Sequence, residues 1–159
     1  MATTKPVIKS QGTELYYASG PTAVTKIVCP TGISGLGGAR GQIDVTCLDD
    51  TEDEEFVGGL GTPGQVTIPF NLHKSEISHE ALMALKASGE TVSWGIYSSN
   101  AATAPTAVAS VMQPVTGRVS AVFNAYVADV AIDIGAKDIW KGTITLQRSG
   151  PVTWDLLTA

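Results

Sequence analysis

A chain of 159 residues, 43% hydrophobic and only 16% charged, suits one domain (1–159) that buries its own core; so little charge predicts a surface that meets other protein. Of its fifteen acids, six (Asp49, Asp50, Glu52, Asp53, Glu54 and Glu55) fall in one run, so the net charge of −5 is local and the rest is near neutral. Two cysteines, Cys29 and Cys47, exclude a secreted disulfide framework and point to reduced thiols in a cytoplasm.

The opening MATTKPVIKSQGTELYY lacks the apolar core of a signal peptide. TELYYAS, VTKIVC and IDVTCL then read as weak strands. Between the last two, TGISGLGGARGQ at 31–42 invites a phosphate-loop reading. It has no Gly-Lys followed by Ser or Thr, and its glycines lead into a strand where a dinucleotide fingerprint must open a helix. The nucleophile elbow G-x-S-x-G fails as well, because Leu36 stands where its second glycine belongs.

The acidic run DDTEDEEFVGG lacks the alternate acids, central glycine and distal glutamate of an EF-hand. Consecutive acids on an extended chain diverge, so neither a metal nor a cofactor is expected there. Residues 49–64 read as a long charged connection within a flexible glycine-rich and acidic region, 31–64. Such a segment is either a plain surface loop or one that orders when a partner covers it.

In VTIPFNL, Val66, Ile68, Phe70 and Leu72 share a strand face, and Pro69 marks an edge or bulge. The helix pattern follows at 75–88: Ser75 and Ser78 as candidate N-caps, Ile77, Ala81, Leu82 and Leu85 on one stripe, Gly89 as terminator. His73 reads as a strand-end residue and His79 as a helix-surface residue, neither as a ligand or base. ETVSWGIYSS is a strand, and NAATAPTAVAS a loop of small residues.

Two late stretches alternate clearly. In PVTGRVSAVFNAYV, Val119, Ala121 and Phe123 oppose Arg118, Ser120 and Asn124; in KDIWKGTITLQRSG, Trp140, Ile144 and Leu146 oppose Lys141, Thr143, Thr145 and Gln147. VADVAIDIGA between them sets Asp129 and Asp133 against Val130, Ile132 and Ile134. Trp94, Trp140 and Trp154 read as core or interface aromatics. One oily and one small polar face per strand, with a single helix, predicts a mainly β fold: an antiparallel β-sandwich or barrel-forming sheet with one flanking α-helix. No catalytic constellation emerges, so no enzyme is expected.

The order of these pieces resembles the major tail tube proteins of long-tailed bacteriophages, the phage lambda tube protein among them. A polar arm precedes the first strands; an LDD-type segment, Leu48, Asp49 and Asp50, opens the acidic loop; VTIPFNL meets the helix SEISHEALMALKASGE; WGIYSS and a hairpin ending KDIWKGTITLQRSGPVTW follow. The resemblance is one of arrangement and spans nearly the whole chain. It implies a fold related to the type VI secretion tube protein, and a virion subunit assembled in the host cytoplasm. Rings of six copies would stack into a tube through which DNA passes without specific binding. Tape-measure, tail terminator and tail initiator proteins are the further partners it implies, with no membrane.

Under the resemblance, Asp49, Asp50, Glu52, Asp53, Glu54, Glu55 and Phe56 form a loop between stacked rings. Arg118, Ser120, Asn124, Lys141, Thr143, Thr145 and Gln147 are candidates for a polar face, lumenal or outer, with Asp129 or Asp133 as partners for Arg118 and Lys141. The chain is expected to carry no decorating domain after PVTWDLLTA. Two alternatives stand: a type VI secretion-like tube protein, and a β-sandwich binding module that takes calcium or a basic partner on the acidic run.

Overall fold

The computed structural model describes residues 6–49 and 51–156. Its body is a six-stranded antiparallel sheet of β1 (Glu14–Ala18), β2 (Val24–Ile27), β5 (Gln65–Asn71), β6 (Thr91–Tyr97), β9 (Ser120–Asp133) and β10 (Lys141–Asp155), in the order β2-β1-β6-β9-β10-β5. Two small hairpins, β3 (Arg40–Asp44) with β4 (Phe56–Gly61) and β7 (Ala107–Val108) with β8 (Val111–Met112), complete the strands. The fold is mainly β and antiparallel, as the alternation predicts.

Period two puts Leu15, Trp94, Phe123, Ile144, Leu146, Ile68 and Phe70 on one face, where they form the main core. The single helix, α1 (Ile77–Ser88), lays Ala81, Leu82 and Leu85 onto it. Gly142 is held small by this packing, since a Cβ there would run into the Phe70 ring. On the opposite face the β7–β8 hairpin turns through Ala109 and Ser110, both at positive φ as a two-residue hairpin requires. It covers a second core of Ala18, Tyr97, Ala107, Met112 and Val115.

The two edges of the sheet meet through residues 29–34, which follow β2 directly. Thr31 N–H donates to Pro69 O at 2.8 Å, and Ser34 and Thr67 exchange backbone bonds at 3.0 and 2.9 Å. Pro69 therefore sits on the edge strand, and its edge is capped by the chain itself.

Several local expectations change. The helix is capped by Glu76, whose carboxylate accepts from Ser78 N–H, while Ser75 takes a positive φ of 61°. Ile77 is 79% exposed, one turn off the packed stripe. His79 is buried: Nδ1 accepts from His73 N–H at 3.2 Å, so Nε2 carries the proton and donates to Val28 O at 2.8 Å. It is a clasp between helix and sheet edge, where the sequence suggests a surface residue. Within the region expected to be flexible, Phe56–Gly61 pairs with β3, Gln42 opposite Gly58 and Ile43 opposite Val57. VADVAIDIGA continues β9, the register to β10 shifting at the bulge that leaves Ala128 between Val127 and Asp129.

Candidate assembly surface

Among the described residues the β3–β4 hairpin pairs with no other strand. Its ladder extends outward through Val45 N–H to Glu55 O at 2.9 Å and Glu55 N–H to Thr46 Oγ1 at 2.9 Å. Asp44 accepts from Thr46, side chain first and then backbone, which holds its carboxyl below the ordinary range. Beyond lies the acidic tip, with Asp49, Glu52, Asp53, Glu54 and Glu55 all exposed. Asp50 lies outside the described residues. Phe56 opens β4 and is exposed together with Ile43, Val45, Val57 and Leu60. An apolar hairpin with an acidic tip has no core of its own to enter.

The polar-face residues divide. Thr143, Thr145 and Gln147 are half-buried and share the outer face of β10 with exposed Lys141; Asn124 on β9 is exposed. Arg118 and Ser120 are corrections, each only 1% exposed, because the segment carrying β7 and β8 folds over them. The expected partners also differ: Lys141 pairs with Asp138 at 2.8 Å, Arg118 with Glu14 at 3.7 Å, and Asp129 with Lys86 at 2.9 Å.

Arg118 is held within the chain, although its Nη2, 3.7 Å from Glu14, is buried without a hydrogen-bond partner. Its Nε donates to Ser98 O at 2.7 Å and Nη1 to Thr103 O at 2.8 Å, with the guanidinium 5.5 Å from the Tyr97 ring centroid. Glu14 also meets Lys26 at 3.7 Å and accepts from Tyr16 O–H at 2.6 Å. Burial, then the Glu14 bond, pushes the Tyr16 phenol up to about 12; burial does the same to Tyr97.

Sequence reasoning missed Arg148. It shares the inward parity of Ile144 and Leu146, a signal that could have marked it, and is 6% exposed. One terminal nitrogen donates to Gly37 O, and Nε is buried without a partner. Arg148 lines a cavity of about 530 Å³ at the foot of the β3–β4 hairpin, walled by Leu60, Pro63, Pro151, Val152 and Trp154.

Among the described residues no group of three or more His, Cys, Asp or Glu side chains is placed to hold a metal, and no helix is long and apolar enough to cross a membrane. What the geometry offers is surface for protein contact: a projecting hairpin, one-sided strands and a buried cation.

Comparison with known proteins agrees. Residues 6–158 match the family described as phage tail tube, TTP, lambda-like. "Structural protein 3" of Pseudomonas phage PAJU2 is 31% identical over 150 residues, covering 91% of each chain. Similar folds occur in the sheath-tube complex of an extracellular contractile injection system, PVC, in the extended state (TM-score 0.69, 16% identity, 95% of this chain and 93% of that one). They occur also in the SPP1 tail tube (TM-score 0.64, 11% identity, 96% and 82%) and in the tail of an empty gene transfer agent particle with C6 symmetry (TM-score 0.64, 13% identity, 94% and 100%).

The chain therefore belongs to the lambda-like phage tail tube family. It is a structural component of the virion tail, not an enzyme.

Proposed function

We propose that six copies close into a ring, that rings stack into a tube, and that the lumen conducts the genome. The observation that carries this reading is the pairing of β9 and β10. Among the described residues, 127–133 of β9 pair only with β10, and 148, 149 and 153–155 of β10 pair only with β9, with 150–152 out of register between them. Each strand thus keeps one unpaired edge, and joining such edges between copies would continue the sheet and remove them. The C6 symmetry of the similar gene transfer agent tail supports six as the ring number.

The outer face of β10, with Lys141, Thr143, Thr145 and Gln147, lines the lumen in this reading. Its small polar groups offer DNA no dense cationic track, and six copies at −5 give −30 per ring. The acidic tip and Phe56 then contact the next ring, and tape-measure, terminator and initiator proteins meet the tube inside and at its ends.

Electron microscopy of the concentrated protein tests this. Hollow rods or sixfold rings are expected, and protein that stays monomeric with initiator and tape-measure proteins present would reject the reading. Changing Asp49, Glu52, Asp53 and Glu54 to Lys should leave a folded subunit whose rings no longer stack.

A further inference from the structure

Arg148 is a buried cation that no carboxylate meets among the described residues. A guanidinium this deeply withdrawn from water calls for a carboxylate that takes two of its N–H groups. Among the described residues it has no ion pair, its Nε has no acceptor, and a single carbonyl, Gly37 O, holds one terminal nitrogen. The cavity it lines has apolar walls of Leu60, Pro63, Pro151 and Trp154, with Thr62 and a second cation, Arg40, also on its lining.

The complementary charge is also unspent. Glu14, Asp129 and Asp138 have cationic partners, whereas Asp49, Glu52, Asp53, Glu54 and Glu55 form no ion pair among the described residues. These acids cannot reach Arg148 within their own chain. The cavity lies beside Arg40, Leu60 and Gly61 at the foot of the hairpin, and the paired ladder runs from there to Thr46 and Glu55. Six paired residues hold the tip about 20 Å from that foot.

We propose that the cavity receives the acidic tip of a second copy's β3–β4 hairpin, one carboxylate from Asp49 or Glu52–Glu55 meeting the Arg148 guanidinium. Exposed Leu48, beside those acids, is the apolar group available to the cavity walls. The inference rests on the reading of the hairpin as an assembly element, and supplies the residue that receives it. A sealed pair of this kind forms only on assembly, so the lone monomer stays soluble and the docked tip is fixed in register.

The test is Arg148→Met in the full chain. The concentration at which tubes form, read by sedimentation, should rise at least ~tenfold. The thermal midpoint of the monomer should not fall, because the substitution removes a buried cation that has no carboxylate there. An unchanged onset overturns the proposal. If the midpoint does fall, a cross-link decides: one chain carries Pro151→Cys, the other Asp53→Cys, both in a Cys47→Ser background. Mixed tubes should yield disulfide-linked dimers of the two chains, and tubes without them overturn the proposal. If Lys substitutions in the tip block stacking while Arg148→Met and the cross-link show no effect, the hairpin remains an assembly element and this receptor alone falls. Tubes indifferent to the tip substitutions remove both.

Discussion

Arg118, in the turn before β9, and Arg148, on β10, are both buried, yet their surroundings differ in kind. Around Arg118 the chain supplies a carboxylate, two carbonyls and an aromatic face. Around Arg148 it supplies one carbonyl and an open cavity that a second cation, Arg40, also lines. The first region has its carboxylate, Glu14, once the monomer folds; the second has none among the described residues. Stability should therefore concentrate in the sheet body and assembly in the hairpin end, and substitutions should separate the two.

The largest expected contrast is between Trp94 and Leu60. Trp94 is fully buried, donates Nε1–H to Ala125 O at 3.2 Å and packs on Tyr17; Trp94→Ala should cost about 3–5 kcal/mol in chemical denaturation of the monomer. Leu60 is 92% exposed, and Leu60→Ala should change monomer stability by no more than ~0.5 kcal/mol. A hairpin substitution as costly as the core one would show that the hairpin is part of the fold.

Next is Arg118→Met, expected to cost about 2–3 kcal/mol by the same measurement. That lies below the usual loss for a broken buried pair because Glu14 retains Lys26 and Tyr16. Parity with Arg148→Met, whose midpoint should hold, would erase the distinction between the two regions.

How much of this was readable beforehand follows the same division. The long strands were legible because Ala121, Phe123, Ile144 and Leu146 alternate over many residues, and α1 because Leu82, Leu85 and Gly89 keep helical spacing. Strand β4 was not, since Gly58, Gly59 and Gly61 carry no side-chain pattern and its pairing is a matter of backbone bonds. Nor was the burial of Arg118 and Ser120, which depends on a distant segment folding over a face that alternation alone reads as polar. His79 looks like any polar helix residue until residues 28–34 come back beside it. The acidic tip was legible as a candidate contact; its proposed receptor was not, because an arginine on an oily face signals only once the parity of the strand is followed to its end.

A smaller effect should appear on the alkaline side. Both Tyr16 and Tyr97 have phenols raised from 10.0 to about 12, so folding favours their neutral forms. That stability is whole below pH 10 and is lost as pH rises through the window from 10 to about 12, where the unfolded chain ionises first. Tyr97→Phe should lose about 1 kcal/mol at neutral pH with the bond to Gln113 O, and should flatten the alkaline limb, followed by tyrosinate absorbance during denaturation. An unaltered limb would leave Tyr97 out of the stability of the sheet body.

The smallest effect separates two ion pairs that look alike. Lys86 holds the Asp129 carboxyl below its ordinary value, and Lys141 with Ile139 N–H does the same for Asp138. For each, the stability gained is present above pH 3.8 and is lost as pH falls below it. Only the difference from the unfolded chain counts, however. Asp138 and Lys141 are three residues apart and can still meet when the chain unfolds, whereas Lys86 and Asp129 are joined only by the packing of α1 on β9. Lys86→Met should therefore flatten the acid limb of monomer stability more than Lys141→Met does. Equal flattening would mean that the helix clasp contributes no more than a local turn, and that the body is less distinct from the hairpin end than its packing implies.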